Sequence, residues 1–486
     1  MMLYELLNGV DYGLTAGGNT DILHITEDSR TVSAGSLFVC HVGLHVDGHD
    51  FIPAAIANGV SAIICLRLPE PLPENVTFVK AADTRAALAQ IAANFYGRPA
   101  EQLCMLGVTG TNGKTSTTYF VEAILRAWGK KAGVLGTSGA RVGDAVIDIP
   151  YATSSTPDSI ELHHILRAML DKSAAYCAME ATSHALALQK VEGIPFKVGM
   201  FTNLTQDHLD FHGTMENYFA EKAKLFNQCE IAVINADDPY AKAMTTGADC
   251  RVVTYGIDAN CDYKATNVVL THEGVAYDIC HTGETIHLES PVPGRFSVYN
   301  TLLAAVAALE IGVPPECVRA GLANLANVPG RIQSVPNDKG IGVIVDYAHT
   351  PDGVDNILRA VRGFTSGKVI TVVGCGGDRD RTKRPIMGEI AGKGSDYVIL
   401  TSDNPRSEKP SDIIAEMEPG VRKTGCHYTK LADRREAILE AIQMAVPGDS
   451  IVLAGKGSED YQEFENKRRV PFDDVRTATE ALEARE

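Results

Sequence analysis

The sequence predicts an α/β protein of three domains, and three observations lead to this view. The chain has 486 residues, more than one hydrophobic core usually serves. Short apolar runs alternate with helix-like periodic stretches along its length, as in α/β folds. The periodicity resets at Pro329-Gly330-Arg331, which indicates a boundary. We therefore expect a small N-terminal α/β domain over 1–101, a central α/β domain over 102–329 and a C-terminal doubly wound domain over 330–486.

The first domain combines short strands with two helical stretches. Strands are predicted at residues 36–40, 61–66 and 77–79, and helices at 52–58 and 84–96. Two polar loops flank the first of these strands, Asp28-Ser29-Arg30 and residues 42–48. On the residues alone these loops are best explained as turns.

The central domain begins with a nucleotide-binding pattern. Residues 103–108 form an apolar run, 109–115 a loop rich in glycine and threonine, and Phe120, Ile124 and Trp128 the apolar face of a helix. Strand, glycine loop and helix N-terminus together make an anion site. Val108 stands where a strict P-loop has glycine, so the domain is P-loop-like. Lys114 and Thr115 are candidates for the outer phosphates and for Mg²⁺.

The run 132–136 predicts the second strand of this domain, and residues 151–157 form a loop rich in hydroxyls. Three further strands end in polar residues. The runs 176–179, 198–202 and 231–234 are followed by Glu180, by the segment 203–212 with His208, and by Asn235-Ala-Asp-Asp. The carboxyl ends of parallel strands share one edge of a sheet, where ligands bind. Acidic and imidazole side chains at that edge suit a Mg²⁺–phosphate site.

Four loops of the C-terminal domain form a second predicted binding face. Strands are expected at residues 343–346, 369–373, 397–401 and 451–454. Their ends carry Asp346-Tyr-Ala-His349, the segment 374–379, Asp403-Asn-Pro-Arg406 and the segment 455–459. Four such loops at strand ends favour a ligand site over chance.

Composition limits the function classes. The net charge of −17 argues against binding to nucleic acid or to anionic membranes. No apolar run is long enough to span a membrane, and the start MMLYELLNGVDYG has no basic n-region, so we expect neither a membrane span nor a signal peptide. Eleven cysteines without a C-x-x-C pair fit a reducing cytoplasm.

Four motifs together give the chain its resemblance to a known family. They are Gly110-Thr-Asn-Gly-Lys-Thr115, Phe201-Thr-Asn-Leu-Thr-Gln-Asp-His208, Tyr218-Phe-Ala-Glu-Lys222 and Asp346-Tyr-Ala-His-Thr-Pro351. With them the whole chain resembles the Mur ligases of peptidoglycan synthesis, in particular the MurE type. The resemblance implies a monomer with a UDP-sugar domain, an ATP domain and a mobile Rossmann-like domain that brings an amino acid.

The resemblance also implies a reaction. ATP would phosphorylate the carboxylate of a UDP-N-acetylmuramoyl dipeptide, and the amine of an amino acid would attack the acyl phosphate. It places Mg²⁺ on Thr115 and Glu180, with His208 and a carbamate on Lys222 near a second ion. From the residues alone Lys222 could be a solvated helix lysine, with Lys224 equally eligible. The implied ATP site is Gly110, Thr111, Asn112, Gly113, Lys114, Thr115, Asn300, Arg331, Asp346 and His349.

Two further substrate sites follow from the resemblance. The UDP-sugar residues would be Ser29, Arg30, Ser155, Thr156, Ser183 and Lys190. The amino-acid residues would be Arg379, Asp403, Asn404, Arg406, Gly455 and Glu459. Three positions depart from the family pattern: Lys190 replaces the usual arginine, Ser297 an asparagine and Ser458 a histidine.

The predicted acceptor is meso-diaminopimelate, because the Asn-Pro-Arg form of 404–406 is that of relatives adding it. A guanidinium at Arg406 can bind its distal carboxylate bidentately. With L-lysine bound, we expect Arg406 to be desolvated and unpaired, which would reject lysine by roughly 10⁴-fold. The alternatives are a lysine-adding ligase, a folylpolyglutamate synthetase-like ligase, and a nucleotide-dependent switch or motor. The 101 residues before the nucleotide loop argue against the second, and the acceptor loops against the third.

Overall fold

The protein is described here from a computed structural model, which covers residues 1–43, 46–151, 153, 155–271, 274–325, 328 and 330–485. These residues form three sheets, of five, eleven and six strands, and a separate two-stranded hairpin. The predicted α/β class and its three-part organisation are confirmed. The domain limits at 101/102 and 329/330 stay predictions, and Pro329 lies outside the described residues, as do parts of the predicted loops 42–48 and 151–157.

The N-terminal sheet has the strand order β1-β5-β4-β3-β2, with β1 antiparallel to its neighbour. Helices α1 and α3 cover one face and α2 the other. Asp83 starts α3, because its carboxylate accepts the N–H groups of Arg85 and Ala86. The bounds are β1 (Tyr12–Ala16), β2 (His24–Thr26), β3 (Ser36–Val39), β4 (Ala62–Cys65), β5 (Thr77–Ala81), α1 (Leu3–Leu6), α2 (Ile52–Ala57) and α3 (Thr84–Phe95).

The central sheet is parallel from β14 to β7, and β6 with the nucleotide loop lies in its middle between β11 and β10. Its strands are β6 (Cys104–Thr109), β7 (Ala132–Gly136), β8 (Gly139–Val142), β9 (Ala145–Val146), β10 (Tyr176–Glu180), β11 (Phe196–Phe201), β12 (Cys229–Asn235), β13 (Arg251–Gly256), β14 (Tyr263–Leu270), β15 (Val275–His281) and β16 (Glu284–Ser290). The helices are α4 (Lys114–Ala127), α5 (Ser159–Asp171), α6 (Ser183–Ala187), α7 (Leu209–His212), α8 (Met215–Ala223), α9 (Ala241–Met244), α10 (Arg295–Glu310) and α11 (Pro315–Ala323).

Helices cover both faces of this sheet and close two separate cores. Helices α4, α10 and α11 form one core, and α5, α6 and α8 belong to the other. Helix α11 packs on α4 so closely that a Cβ at Gly321 would overlap the backbone of Ile124. Both cores enclose β6, so the strand that leads into the nucleotide loop is held on each side.

The C-terminal sheet has the order β17-β18-β22-β19-β20-β21 and is parallel except for β17. Its strands are β17 (Gln333–Ser334), β18 (Gly342–Asp346), β19 (Val369–Val373), β20 (Tyr397–Leu400), β21 (His427–Lys430) and β22 (Ser450–Ala454), followed by the hairpin β23 (Tyr461–Phe464) and β24 (Arg468–Pro471). Helices α12 (Pro351–Arg362), α13 (Lys383–Gly394) and α14 (Pro410–Thr424) pack on one face, and α15 (Arg434–Met444) and α16 (Asp474–Glu483) on the other.

The predicted strands agree with the structure to within two residues, and 132–136 and 369–373 agree at both ends. Strands β1, β2, β8, β9, β17 and β21 and the hairpin β23–β24 were missed, because they are short and lack a continuous apolar run. No described helix has the length and apolar character needed to cross a membrane.

One ion pair of the C-terminal domain is entirely buried. The guanidinium of Arg434 on α15 donates to both carboxylate oxygens of Asp474 on α16, at 2.8 and 2.6 Å, and to the carbonyl of Ala454 at 3.1 Å. Neither side chain is exposed to solvent. The same two helices carry an exposed pair, Arg435 with Glu480, at 2.9 Å.

We predict that Asp474→Ala destabilises the protein by about 3–5 kcal/mol, because it leaves the Arg434 charge buried without a partner. Glu480→Ala breaks the exposed pair on the same helices and should change the free energy of unfolding by less than about 1 kcal/mol. Urea unfolding of both variants measures the difference. Equal effects of the two substitutions would contradict this assignment.

Candidate active site

The nucleotide loop is packed against two asparagines. Gly110 and Gly113 have φ values of +142° and +89°, which favour glycine. A Cβ at Gly110 would overlap Thr202 and crowd Asn203, and one at Gly113 would overlap the Asn300 amide. Helix α4 begins directly after Gly113, so its free N–H groups face the loop.

The amine of Lys114 folds back over this loop. It donates to the carbonyls of Gly110 and Thr111 at 3.0 and 2.8 Å. Burial lowers the pKa of Lys114, although Glu180 and Asp207 oppose this. The Lys114 amine therefore lies on the loop that the sequence predicts to bind phosphate, beside the start of α4.

Glu180 is the last residue of β10 and is 1% exposed. One carboxylate oxygen accepts the Thr115 hydroxyl and the Thr137 N–H, both at 2.8 Å, and the other accepts the Thr137 hydroxyl at 3.2 Å. A hydroxyl and a carboxylate side by side offer hard oxygen ligands for Mg²⁺. The described residues contain no cluster of three His, Cys, Asp or Glu side chains fit to hold a metal ion. A cation here would need other oxygens, such as those of phosphates.

Lys222 lies behind the same loop. It is 1% exposed, its amine donates to the Gly110 carbonyl at 2.8 Å, and it lies 4.5 Å above the ring of Tyr218. Burial, followed by repulsion from Lys114, lowers the pKa of Lys222 well below its usual value. Lys224 instead is exposed and pairs with Glu221 at 2.6 Å. The structure thus separates two lysines that the sequence left equivalent.

Histidines gather beside these lysines. The rings of His184 and His208 lie 4.7 Å apart, edge to face. Burial lowers the pKa of both, to about 4 for His184. Asp207 lies 3.4 Å from the His208 ring; burial alone would raise its pKa, but His208, Lys383 and His349 outweigh burial and bring it below the usual value.

The C-terminal domain contacts the nucleotide loop directly. The Asn112 amide donates to Asp352 at 2.8 Å, Arg331 donates to the Thr115 hydroxyl at 3.1 Å, and the Lys383 amine lies 3.7 Å from Asp207. The last of these pairs is almost wholly buried.

A cavity of about 590 Å³ lies between the two domains. It is lined by nine of the ten predicted nucleotide residues, namely Thr111, Asn112, Gly113, Lys114, Thr115, Asn300, Arg331, Asp346 and His349, and also by Glu180, His208 and Ser155. Gly110 does not line it, because its carbonyl faces Lys114 and Lys222.

Four of the predicted UDP-sugar residues lie around the end of β10. The Thr156 hydroxyl donates to the Glu180 carbonyl at 2.8 Å, the Ser155 hydroxyl is 3.0 Å from that of Thr137, and Ser183 is 3.0 Å from His212. Lys190 pairs with Asp158 at 2.6 Å.

Ser29 and Arg30 have no described contact with that group. The Arg30 side chain is 87% exposed and pairs with Asp28, and the Ser29 carbonyl accepts the Asn58 amide. Their neighbour Glu27 lies close to Lys190. The pKa of Glu27 is lowered, and although burial opposes this, the positive charge of Lys190 contributes to it. Residues 27–30 therefore lie beside the central domain.

The predicted amino-acid residues Asp403, Asn404 and Glu459 surround the buried amine of Lys456. This amine donates to Asn404 at 3.1 Å and to Glu459 at 3.0 Å and lies 3.7 Å from Asp403. One carboxylate oxygen of Asp403 is buried without a hydrogen bond to any described residue. Gly455 adopts φ +119° directly beside Asp403. An ammonium ligand would satisfy that orphaned oxygen.

From the sequence we expect Arg406 to have no partner when the ligand lacks a second carboxylate, as L-lysine does. This expectation is wrong. Its Nε donates to Glu463 at 3.1 Å, and its Nη1 donates to the Gly377 carbonyl at 2.8 Å. Glu463 belongs to the hairpin that the sequence did not reveal. Arg379 is exposed nearby, and its charge contributes to the lowered pKa of His184 in the central domain.

Comparisons with known proteins match these three parts in order. Family models described as "Mur ligase family, catalytic domain", "Mur ligase middle domain" and "Mur ligase, glutamate ligase domain" match residues 21–96, 108–308 and 330–457. A UDP-N-acetylmuramoyl-L-alanyl-D-glutamate--2,6-diaminopimelate ligase of Clostridium acetobutylicum is 43% identical over 99% of both chains. The chain belongs to the Mur ligase family. A ligase of the same name from Geobacillus thermodenitrificans is 44% identical over the full length of both chains.

Solved structures agree with the family. That of a UDP-N-acetylmuramoyl-L-alanyl-D-glutamate--2,6-diaminopimelate ligase is 32% identical to this Mur ligase, covers 95% of both chains and superposes with a TM-score of 0.67. A folylpolyglutamate synthase of Mycobacterium tuberculosis shares the fold at a TM-score of 0.62, with 18% identity over 76% of this chain and 92% of its own. The likeness to that synthase is therefore one of fold.

Several residues of this site were not predicted from the sequence. Lys456 lies in the predicted loop 455–459, but only the structure shows that its amine contacts three of the predicted amino-acid residues. Thr137 follows a predicted strand, and strand-end position was the signal that could have found it. Asp352 and Lys383 lie on helices, where charged side chains usually face solvent, so the sequence held no signal for them.

We predict that Lys222 loses its proton at a pH well below that usual for a lysine amine, because its buried amine cannot easily be charged and Lys114 repels it. In protein labelled with ¹³C at lysine Cε, NMR titration should show a resonance that titrates well below pH 10, and Lys222→Met should remove it. Lys224→Met, which removes the exposed neighbour, should leave this resonance in place. Persistence of the low-titrating signal in Lys222→Met would contradict the assignment.

Proposed function

We propose that this Mur ligase joins meso-2,6-diaminopimelate to UDP-N-acetylmuramoyl-L-alanyl-D-glutamate with hydrolysis of ATP to ADP and phosphate. The observation that carries the proposal is one cavity in which the nucleotide loop, Glu180 and the Asp346–His349 loop meet. The acceptor loops belong to the same C-terminal domain as Asp346. The substrate names are those of relatives that are 42–44% identical across the whole chain.

The first step joins two anions, the substrate carboxylate and the γ-phosphate of ATP. A carboxylate oxygen attacks the γ-phosphorus, the bond to the β-phosphate oxygen breaks, and an acyl phosphate and ADP form. Lys114 and the N–H groups at the start of α4 offset the negative charge. Mg²⁺, which Thr115 and Glu180 would hold, supplies further screening of these charges when bound.

The second step is attack by the acceptor amine. A neutral amine nitrogen adds to the acyl carbon, and the tetrahedral intermediate releases phosphate and a proton. Asp403 and Glu459 are placed to bind an ammonium of the acceptor, and Arg406 and Arg379 a carboxylate, with Asn404 and Gly455 shaping the loops. The contacts between the domains keep water from the acyl phosphate.

The remaining assignments complete the proposal. The UDP-sugar is held by Ser155, Thr156, Ser183 and Lys190, with Ser29 and Arg30 reached from the first domain. Lys222 carries a CO₂-derived carbamate near His208. The burial of this amine and its lowered pKa support this, since only a neutral amine takes up CO₂ and the adduct is a carboxylate-like ligand. The protein acts as a monomer in the cytoplasm.

The proposed function is tested by phosphate release with purified protein and ATP. Release should require both the UDP-linked dipeptide and meso-diaminopimelate. Because Arg406 already pairs with Glu463, its guanidinium keeps one partner when lysine is bound, and the cost of binding lysine is smaller than for an unpaired guanidinium. We therefore expect diaminopimelate to be preferred over lysine by about 100-fold or more, which is below the roughly 10⁴-fold expected from the sequence. Equal use of lysine would contradict the acceptor, and release without the dipeptide would contradict the ligase.

Arg406→Ala should remove most of that preference while the affinity for an ATP analogue stays unchanged, because the lost contact is confined to the acceptor loops. Arg422→Ala, which removes an exposed arginine on α14, is the matched control and should keep both properties. Retained selectivity in Arg406→Ala would exclude Arg406 from the acceptor site.

Lys222→Ala should be nearly inactive, and short carboxylates such as formate or acetate should restore part of the rate, because they replace the carboxylate-like head of the carbamate. The same carboxylates should not stimulate Lys224→Ala, which should be active without them. A fully active Lys222→Ala would exclude the carbamate.

A further inference from the structure

The hairpin β23–β24 braces the acceptor loop of Asp403 to Arg406. The Arg406 N–H donates to the Glu463 carbonyl at 3.0 Å, and the Glu463 N–H donates to the Asn404 side chain at 2.9 Å. The Gln462 amide donates to the Asp403 carbonyl at 2.8 Å. Three hydrogen bonds therefore join strand β23 of the hairpin to this loop.

The guanidinium of Arg406 is fixed on two edges. Glu463 accepts from Nε at 3.1 Å, and the Gly377 carbonyl accepts from Nη1 at 2.8 Å. A Cβ at Gly376 would stand 3.0 Å from Nη1, so the absence of a side chain there lets the guanidinium approach the loop. Among the described residues, the hydrogen bonds of the Arg406 side chain use Nε and Nη1, and none uses Nη2. That nitrogen is left for a ligand.

We propose that Glu463 is a positioning residue for acceptor selection, because it holds Arg406 by the Nε edge and leaves Nη2 to the distal carboxylate of the acceptor. This inference rests on the proposed function and deepens it. Arg406 also has a φ of +51°, an uncommon conformation for arginine, and its bridge to Phe464 of the hairpin holds it there. The hairpin thus sets both the backbone and the side chain of Arg406.

The ion pair itself contributes little to folding. Both side chains are about one fifth exposed, and Arg469 lies 3.7 Å from the other Glu463 oxygen. Partly solvated pairs of this kind stabilise proteins only weakly. Its effect on a bound carboxylate is larger, because a charge-assisted hydrogen bond from Nη2 requires the guanidinium to be held in one orientation. A loss of positioning therefore raises KM for one acceptor without unfolding the chain.

The test compares steady-state kinetics of Glu463→Ala, Glu463→Gln and Glu465→Ala with meso-diaminopimelate and with L-lysine. Glu465 is the next acid of the hairpin, is exposed, and is the matched control. For Glu463→Ala we expect KM for diaminopimelate to rise about tenfold, with kcat within about twofold and kcat/KM for lysine unchanged. Glu463→Gln keeps an oxygen facing Nε and should recover most of the loss. Glu465→Ala should match the wild type.

The double variant Arg406→Ala/Glu463→Ala should equal Arg406→Ala, because Glu463 acts through that arginine. Unchanged selectivity in Glu463→Ala, or an equal loss with both acceptors, would overturn the inference; retained lysine activity shows that the variant is folded. If the wild-type protein does not ligate diaminopimelate, the proposed function fails instead. If the wild-type protein prefers diaminopimelate and Glu463→Ala keeps the same preference, the proposed function stands and only the role of Glu463 is excluded.

Discussion

Two lysine amines meet at a single carbonyl oxygen, that of Gly110, and the catalytic part of the structure depends on this arrangement. Lys114 and Lys222 donate to it at 3.0 and 2.8 Å, and Lys222 is buried while Lys114 is half-buried beside the cavity. Two full positive charges so close would repel strongly in a buried site. Burial lowers the pKa of both amines, and repulsion from Lys114 lowers that of Lys222 further. Bound anions such as phosphates would offset the positive charge that the two amines bring together.

The surrounding elements hold these amines in place. Strand β6 supplies the loop between two cores, and β10 and β11 bring Glu180 and the segment with Asp207 to the same edge of the sheet. The C-terminal domain then adds Lys383 opposite Asp207. Charge balance in the cavity is therefore shared between domains, which gives their contact an electrostatic as well as a steric basis.

Much of this could be predicted from the sequence, for identifiable reasons. Buried parallel strands are continuous apolar runs, so β6, β10 and β19 and the polar residues at their ends were found. Lys222 could not be separated from Lys224, because burial depends on how α8 packs. The Arg406–Glu463 pair spans 57 residues and involves a hairpin without apolar alternation. Contacts between distant, polar, half-exposed segments leave no periodic trace in a sequence.

The brace between the hairpin and the acceptor loop has an evolutionary consequence. If a lineage exchanged Arg406 for a small residue, the Glu463 carboxylate would keep only Arg469, 3.7 Å away, as a charged partner. It would then lie beside the acceptor loop without the arginine that it positions. Residues 406 and 463 are therefore expected to change together. A new acceptor preference would arise through replacement of the loop and hairpin as one inherited unit, and grafting the loop alone onto another ligase would transfer the arginine without its orientation.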